Sequence, residues 1–167
     1  MSDQTIRDPC ADDVPALTEL LNEIIRAGGT TALETPLTEA ELSEWFVTGE
    51  PVVSSVIAER DGVALGFQMA STFDPLPHGW ASIGTYVRIG VTGAGIGSAL
   101  FRLTCANARA AGLTALKATI RCDNTGGLAY YTRIGFRDYD SNPDFTLSDN
   151  TVLTARGPSM GTTPSAI

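Results

Sequence analysis

Two short stretches of the chain carry residue types at spacings suited to chemistry. The first is Tyr86-Val87-Arg88-Ile89-Gly90-Val91-Thr92-Gly93-Ala94-Gly95-Ile96-Gly97-Ser98-Ala99-Leu100, where a β-rich run meets a glycine cluster that opens an Ala/Leu-rich segment. Glycines let the chain turn tightly and let a ligand approach the backbone. The unpaired N–H groups and positive end of a helix starting there suit a pyrophosphate. A nucleotide phosphate loop fails, because Gly90 and Gly95 have its spacing but Ile96-Gly97 follow instead of Lys-Ser/Thr. A dinucleotide fingerprint starting at Gly93 needs glycine where Ser98 stands. The second stretch is Asn124-Thr125-Gly126-Gly127-Leu128-Ala129-Tyr130-Tyr131-Thr132-Arg133-Ile134-Gly135-Phe136. Seven positions are about two helical turns, so Asn124 and Tyr131 share a helix face. Taken alone, Asn124 is an N-cap and Tyr131 a half-buried aromatic.

The elements that must position these residues follow from periodicity. Thr5–Arg7 is a short strand. Leu17, Leu20, Leu21, Ile24 and Ile25 recur at helical spacing, with Asp12 or Asp13 as cap and Gly28-Gly29 as stop. Thr38-Glu39-Ala40-Glu41 opens a second helix, expected to run to about Thr48. Two β-rich runs flank Asp61-Gly62, a strong hairpin signal. After the proline-rich loop 73–79, Trp80–Arg88 reads as a strand, Gly95–Ala111 as a helix and Ala115–Ile120 as a strand. Asn124–Ile134 reads as a helix, Phe136–Tyr139 and Thr151–Arg156 as final strands. The order predicts an α/β fold with a mixed sheet in one layer and helices on its faces. The expected organisation is one domain over 1–157 and a frayed tail over 158–167.

The glycine segment resembles the acetyl-CoA-binding motif of the GNAT superfamily of N-acetyltransferases: Gln or Arg, two residues, Gly, any residue, then Gly or Ala. Gly95 and Gly97 match, and Thr92 occupies the Gln/Arg position. The later stretch resembles the same superfamily's later motif, an Asn at a helix start, a Tyr seven residues on, then a basic residue and Gly-Phe, filled here by Asn124, Tyr131, Arg133 and Gly135-Phe136. Leu21–Phe46 looks like the start of the phosphinothricin and L-amino-acid N-acetyltransferase branch. The resemblance implies a mostly antiparallel sheet of six to seven strands, with one strand pair splayed at the acetyl-CoA site. It implies coenzyme contacts from Tyr86, Val87, Thr92, Gly93, Ala94, Gly95, Ile96, Gly97, Ser98, Asn124 and Tyr131.

Direct attack by an acceptor amine on the thioester is implied as well. The Val87 amide would polarise the acetyl carbonyl, Asn124 would hold the pantetheine arm, and Tyr131 would return a proton to the departing thiolate. The branch usually has a glutamate where this chain has Ser82-Ile83-Gly84, and histidine at the position of Tyr131. The proton-accepting base is therefore sought elsewhere, at Glu34, Asp74 or His78, the sole histidine. Glu34, Phe73 and Ser82 are the candidate acceptor contacts. The implied acceptor is a small-molecule primary amine such as an amino acid or analogue, and the implied assembly a homodimer. Acylation of a protein, or coenzyme A binding without transfer, are the alternatives.

Bulk properties agree with such a reading. The formal net charge of −8, with Lys117 the sole lysine among eleven basic residues, disfavours nucleic acid and anionic membranes as partners. Cys10, Cys105 and Cys122 form no CxxC pair, so neither a metal site nor a disulfide framework is expected, and all three read as buried. No signal-like or membrane-length apolar run occurs, so the expected location is the cytoplasm.

Overall fold

The structure, a computed structural model, describes residues 3–73, 75–91, 93–146 and 152–156. Thr92, Asp74 and the expected tail at 158–167 lie outside them. In chain order the elements are β1 (Thr5–Arg7), α1 (Val14–Ala27), α2 (Glu39–Leu42), a π-helical turn (Ser43–Thr48), β2 (Val52–Arg60), β3 (Val63–Ser71), β4 (Trp80–Val87), α3 (Ile96–Ala110), β5 (Ala115–Arg121), α4 (Thr125–Arg133), β6 (Asp138–Thr146) and β7 (Val152–Arg156). The sheet order is β1-β2-β3-β4-β5-β7-β6. Every pairing is antiparallel except β4 with β5. The result is an α/β fold with a mixed sheet.

Helices cover both faces. On one, Leu17, Leu20, Leu21 and Ile24 of α1 bury against Ile57, Phe67 and Met69, joined by Leu42 and Phe46. On the other, Phe101, Cys105 and Ala108 of α3 and Tyr131 of α4 cover Ala70, Ala81, Ile83, Leu116, Ala118 and Ile120, while Ile96 and Leu100 of α3 pack on Val56, Ala58 and Leu65. Beneath the helices the sheet is largely apolar, as a covered sheet requires, with Ser54, Gln68 and Ser71 as buried polar exceptions on β2 and β3.

Local signals explain most boundaries. The β2–β3 hairpin closes through Asp61 (φ 52) and Gly62 (φ 76), the paired positive dihedrals of a two-residue hairpin turn. Thr38 and Glu41 close the expected capping box at α2. Asp13 stands before α1 but does not cap it. Its carboxylate instead takes the Cys10 N–H at 2.7 Å and a two-pronged bond from Arg7, whose guanidinium also reaches Glu59. Those bonds hold the Asp13 carboxyl well below the usual carboxylate range.

The structure corrects three further expectations. The second helix does not stay α-helical to Thr48. From Ser43 it widens into a π turn, with Gly49 N–H reaching Glu44 C=O at 3.0 Å. A Cβ on Gly49 would collide with that carbonyl, so the turn depends on glycine. The strand expected from Phe136 begins at Asp138, because the Phe136 N–H bonds Tyr131 C=O at 2.8 Å and closes the end of α4. Of the cysteines only Cys105 is buried, where burial pushes its thiol up to about 11; Cys10 and Cys122 are exposed.

The connection from α1 to α2 is anchored by buried Asn22, which donates to Leu37 C=O and accepts from Leu37 N–H, each at 2.8 Å. Asn22→Ala strands both backbone groups, and we expect a loss of about 2–4 kcal/mol in urea unfolding. A loss under ~1 kcal/mol would show that water replaces the amide readily.

Candidate active site

The sheet opens at its centre. β4 and β5 pair only from Trp80↔Ala115 to Ile83↔Ala118. Beyond that point β4 stays on β3 as far as Val87↔Gly66, while β5 stays on β7 as far as Arg121↔Leu153. The two middle strands therefore diverge after Ile83, each held by its outer neighbour.

Backbone alternation decides what faces the gap. The Arg88 N–H bonds Leu65 C=O on β3 at 2.8 Å. Successive amides along a strand point to opposite sides. Tyr86 therefore turns its amide to β3, and Thr85 and Val87 turn theirs to the gap. The expected Val87 donor has the required direction, and Thr85 supplies a second.

The gap belongs to a cleft of about 1550 Å³ that runs to the glycine turn. Its lining includes Tyr86, Val87, Gly93, Gly95, Ile96, Gly97, Ser98, Asn124 and Tyr131 among the expected coenzyme residues, and Phe73 and Ser82 among the expected acceptor residues. Thr92 lies outside the described residues. Ala94, in the same turn, is not among the lining residues. Gly90, Gly93 and Gly95 have φ of 91, 86 and 72°, where a side chain is strained, and Gly95 caps the 15-residue helix α3. No atom lies within 4 Å of a Cβ built on any of the three, so the backbone there is open to a ligand. An extended thioester coenzyme with a pyrophosphate at one end fits this arrangement.

Gly97 has a different reason to be glycine. A Cβ there would meet the Tyr130 ring at 2.6 Å, and the Tyr130 hydroxyl donates to Gly97 C=O at 2.8 Å. The start of α3 is thus fastened to α4. Because the Tyr130 proton goes to a carbonyl, its oxygen must accept from Gln68, which places the Gln68 NH2 there, 3.2 Å away. The same NH2 donates to Thr85 Oγ1 at 2.8 Å, and Thr85 Oγ1 shares a 2.8 Å hydrogen bond with Tyr131 Oη. One buried chain of bonds joins the glycine turn to the opening of the strands. Gln68, Thr85 and Tyr130 were not picked out from sequence. A polar residue within the β3 run VALGFQMAS was the available signal.

Burial keeps all three phenols protonated. It pushes Tyr86 and Tyr130 up to about 12, and Tyr131 further still. Tyr86 is enclosed by Phe46 and Phe67, its hydroxyl folded back over Gly84.

Asn124 is placed as expected but engaged differently. Its Oδ1 caps α4 by accepting from Gly127 N–H at 2.9 Å, and its Nδ2 donates to Thr30 C=O at 3.0 Å. It straps the α1–α2 connection, whose residues Thr30–Leu33 line the cleft, to the helix carrying Tyr131. Glu34 and His78 are both exposed and are not among the described lining residues. His78 precedes the end of β4 at which the strands are still paired. Asp74 lies outside the described residues. Two lining cations were not anticipated as site residues: Arg133, whose guanidinium sits 5.9 Å over the Tyr130 ring and so beside the glycine turn, and Lys117 on β5.

These contacts give two expectations. Gly97→Ala should displace Tyr130 and weaken acetyl-CoA binding by at least about tenfold, measured calorimetrically, because overpacking typically costs 1–3 kcal/mol. An unchanged affinity would separate the Tyr130–Gly97 contact from the turn's function. Stability should fall above pH ~10, where unfolded tyrosines ionise and the folded ones hold their protons to about 12 or beyond. Below that window these groups contribute their full stability; urea unfolding flat to pH 11 would contradict it.

A model of the acetyltransferase (GNAT) family matches residues 15–136. A comparison with the curated proteins gave no match. Among solved structures, an N-acetyltransferase from Staphylococcus aureus Mu50 superposes with a TM-score of 0.84 at 23% identity, covering 95% of this chain and 99% of that one. The Salmonella typhimurium protein yncA, solved with acetyl-CoA, gives 0.83 at 18% identity, with 94% of each chain covered. A phosphinothricin acetyltransferase from Sinorhizobium meliloti in complex with acetyl-CoA gives 0.81 at 24% identity, covering 95% and 89%. At these identities the structures establish a common fold, and the family model, which spans most of the sequence, establishes the kinship. The chain belongs to the GNAT family of acetyltransferases.

Proposed function

We propose that the protein transfers the acetyl group of acetyl-CoA to the primary amine of a small molecule, an amino acid or analogue, by direct attack. The observation that carries this reading is the divergence of β4 from β5 after Ile83, which turns the Thr85 and Val87 amides into a cleft continuous with the glycine turn. Two solved neighbours, yncA and the Sinorhizobium phosphinothricin acetyltransferase, hold acetyl-CoA, and the latter's name supports a small amine as acceptor.

When bound, acetyl-CoA supplies an activated thioester. Everything else is the work of this chain's residues. The open amides of the glycine turn and the N-terminus of α3 receive the pyrophosphate, with Arg133 beside them. The Val87 amide, with that of Thr85, donates toward an acyl oxygen and favours negative charge developing there. Tyr131 holds a proton at Oη, fixed by Thr85 Oγ1 and kept in place by burial. Burial penalises a sulfur anion as well, so Tyr131 Oη serves the departing sulfur as a hydrogen-bond donor, and any proton it gives up there is returned to the phenol from water. Of the expected bases, Glu34 and His78 are not among the described lining residues and Asp74 lies outside the described residues; water is the acceptor we propose for the amine's proton. The alternative of coenzyme binding without transfer draws on Ser82-Ile83-Gly84 in place of the branch's glutamate and on Thr92 in place of Gln or Arg. The Tyr131–Thr85 contact at the opening favours transfer, since a binder has no use for a proton donor.

Tyr131→Phe removes the proton and little else. We expect turnover to fall about 100-fold, with acetyl-CoA affinity nearly unchanged, in a free-thiol release assay paired with calorimetry. Equal loss of binding and rate would reduce Tyr131 to a packing residue.

A further inference from the structure

Lys117 is the sole lysine in a chain of net charge −8, and it lines the cleft. Its neighbours Leu116 and Ala118, with Ile120, bury beneath α3 and α4. Alternation therefore puts Lys117 and Thr119 on the opposite face of the sheet, with Ser82 and Gly84. The register makes a row across three strands: Ser71 pairs with Ser82, and Ser82 pairs with Lys117. All three line the cleft. The row sits just before the strands diverge.

That position separates Lys117 from the phosphate end. From Ser82 to Val87 an extended strand covers roughly 17 Å, and the glycine turn lies further on. Arg133 and the open amides of the turn serve the anionic end of the coenzyme there. Lys117 stands instead at the acyl end of the cleft. None of the ion pairs among the described residues involves it. The same cleft is walled by Leu33, Met69, Trp45 and Phe73, and the last two leave 37% and 47% of their surface exposed. Exposed aromatics gathered at a concave site mark a surface that awaits a ligand.

We propose that Lys117 anchors a carboxylate of the acceptor, which is therefore an amine bearing a carboxylate and an aromatic or large apolar group. This rests on the acetyltransferase reading above and adds the group that selects its substrate. The ammonium is a point charge that holds an anion through one to three hydrogen bonds. A cation at this place also disfavours the ammonium form of the acceptor and so favours the neutral amine that can attack. Trp45 and Phe73 cover the apolar part.

The test compares phenylalanine, phenylalaninamide and 2-phenylethylamine as ligands of the full chain saturated with coenzyme A, by calorimetry, and as acceptors in thiol release. Phenylalanine should bind at least about tenfold more tightly than the two ligands without a carboxylate. Lys117→Met should erase that preference and leave coenzyme A affinity unchanged, while Lys117→Arg should keep most of it. The proposal is overturned if the three ligands bind alike, if none binds, or if Lys117→Met weakens coenzyme A itself. Should Lys117→Met not fold, the wild-type preference and the Lys117→Arg variant decide. Thiol release with all three amines equally keeps the acetyltransferase reading and sinks the anchor. Preferential binding without thiol release from any amine keeps the anchor and sinks the acetyltransferase reading.

Discussion

The structure depends on one break in hydrogen bonding. A parallel pair in the middle of a covered sheet normally runs the length of both strands, yet β4 and β5 part after Ile83↔Ala118. The sheet survives because β3 holds β4 to Val87 and β7 holds β5 to Arg121. Backbone groups that would have satisfied one another are turned into a cleft instead. Their positions are set by the two outer strands, so the donors are rigid before any ligand arrives. Preorganised dipoles of this kind cost no reorganisation at the moment of reaction.

Helix α4 ties the opening to the glycine turn. Tyr130 reaches Gly97 and Tyr131 reaches Thr85, and between them the Gln68 NH2 donates to Tyr130 Oη and Thr85 Oγ1. Adjacent tyrosines on a helix diverge by about 100°, which lets one stitch the start of α3 while the other addresses the strand. Asn124 adds a third link, from the cap of α4 to Thr30. A single nine-residue helix thus aligns the phosphate end, the reacting centre and the α1–α2 connection. The glycines serve distinct ends: Gly90, Gly93 and Gly95 supply left-handed backbone open to a ligand, and Gly97 makes room for a phenol.

Charge is sparing and placed. In so acidic a chain, cations within a cleft are selective features, and the cleft has Arg133 near one end and Lys117 at the other. The lining between them is glycine, hydroxyl and apolar surface. Few side chains compete with the backbone amides for a ligand's oxygens, and the dry walls strengthen each hydrogen bond made there.

Much was legible in sequence because the signals are local. Asp61-Gly62 specifies its hairpin through φ alone, Thr38 and Glu41 cap within one turn, and the glycines from 90 to 97 mark a strand-to-helix turn whatever surrounds them. Asn124 and Tyr131 share a helix face by spacing alone. Pairing partners were not legible. Whether β4 leaves β5 after four residues or ten depends on β3 and β7, distant in the chain. The same holds for Gln68, an unremarkable residue in a strand until Thr85, Tyr130 and the opening surround it. Glu34 and His78 had suitable chemistry, but chemistry carries no address, and the folded chain put both outside the cleft lining. Lys117 shows the reverse: alternation in ALKATIR put it on a face of the sheet, and only tertiary structure made that face the floor of a cleft. Local backbone preference is written residue by residue, whereas the meeting of strands and the enclosure of a site are settled by long-range pairing and packing.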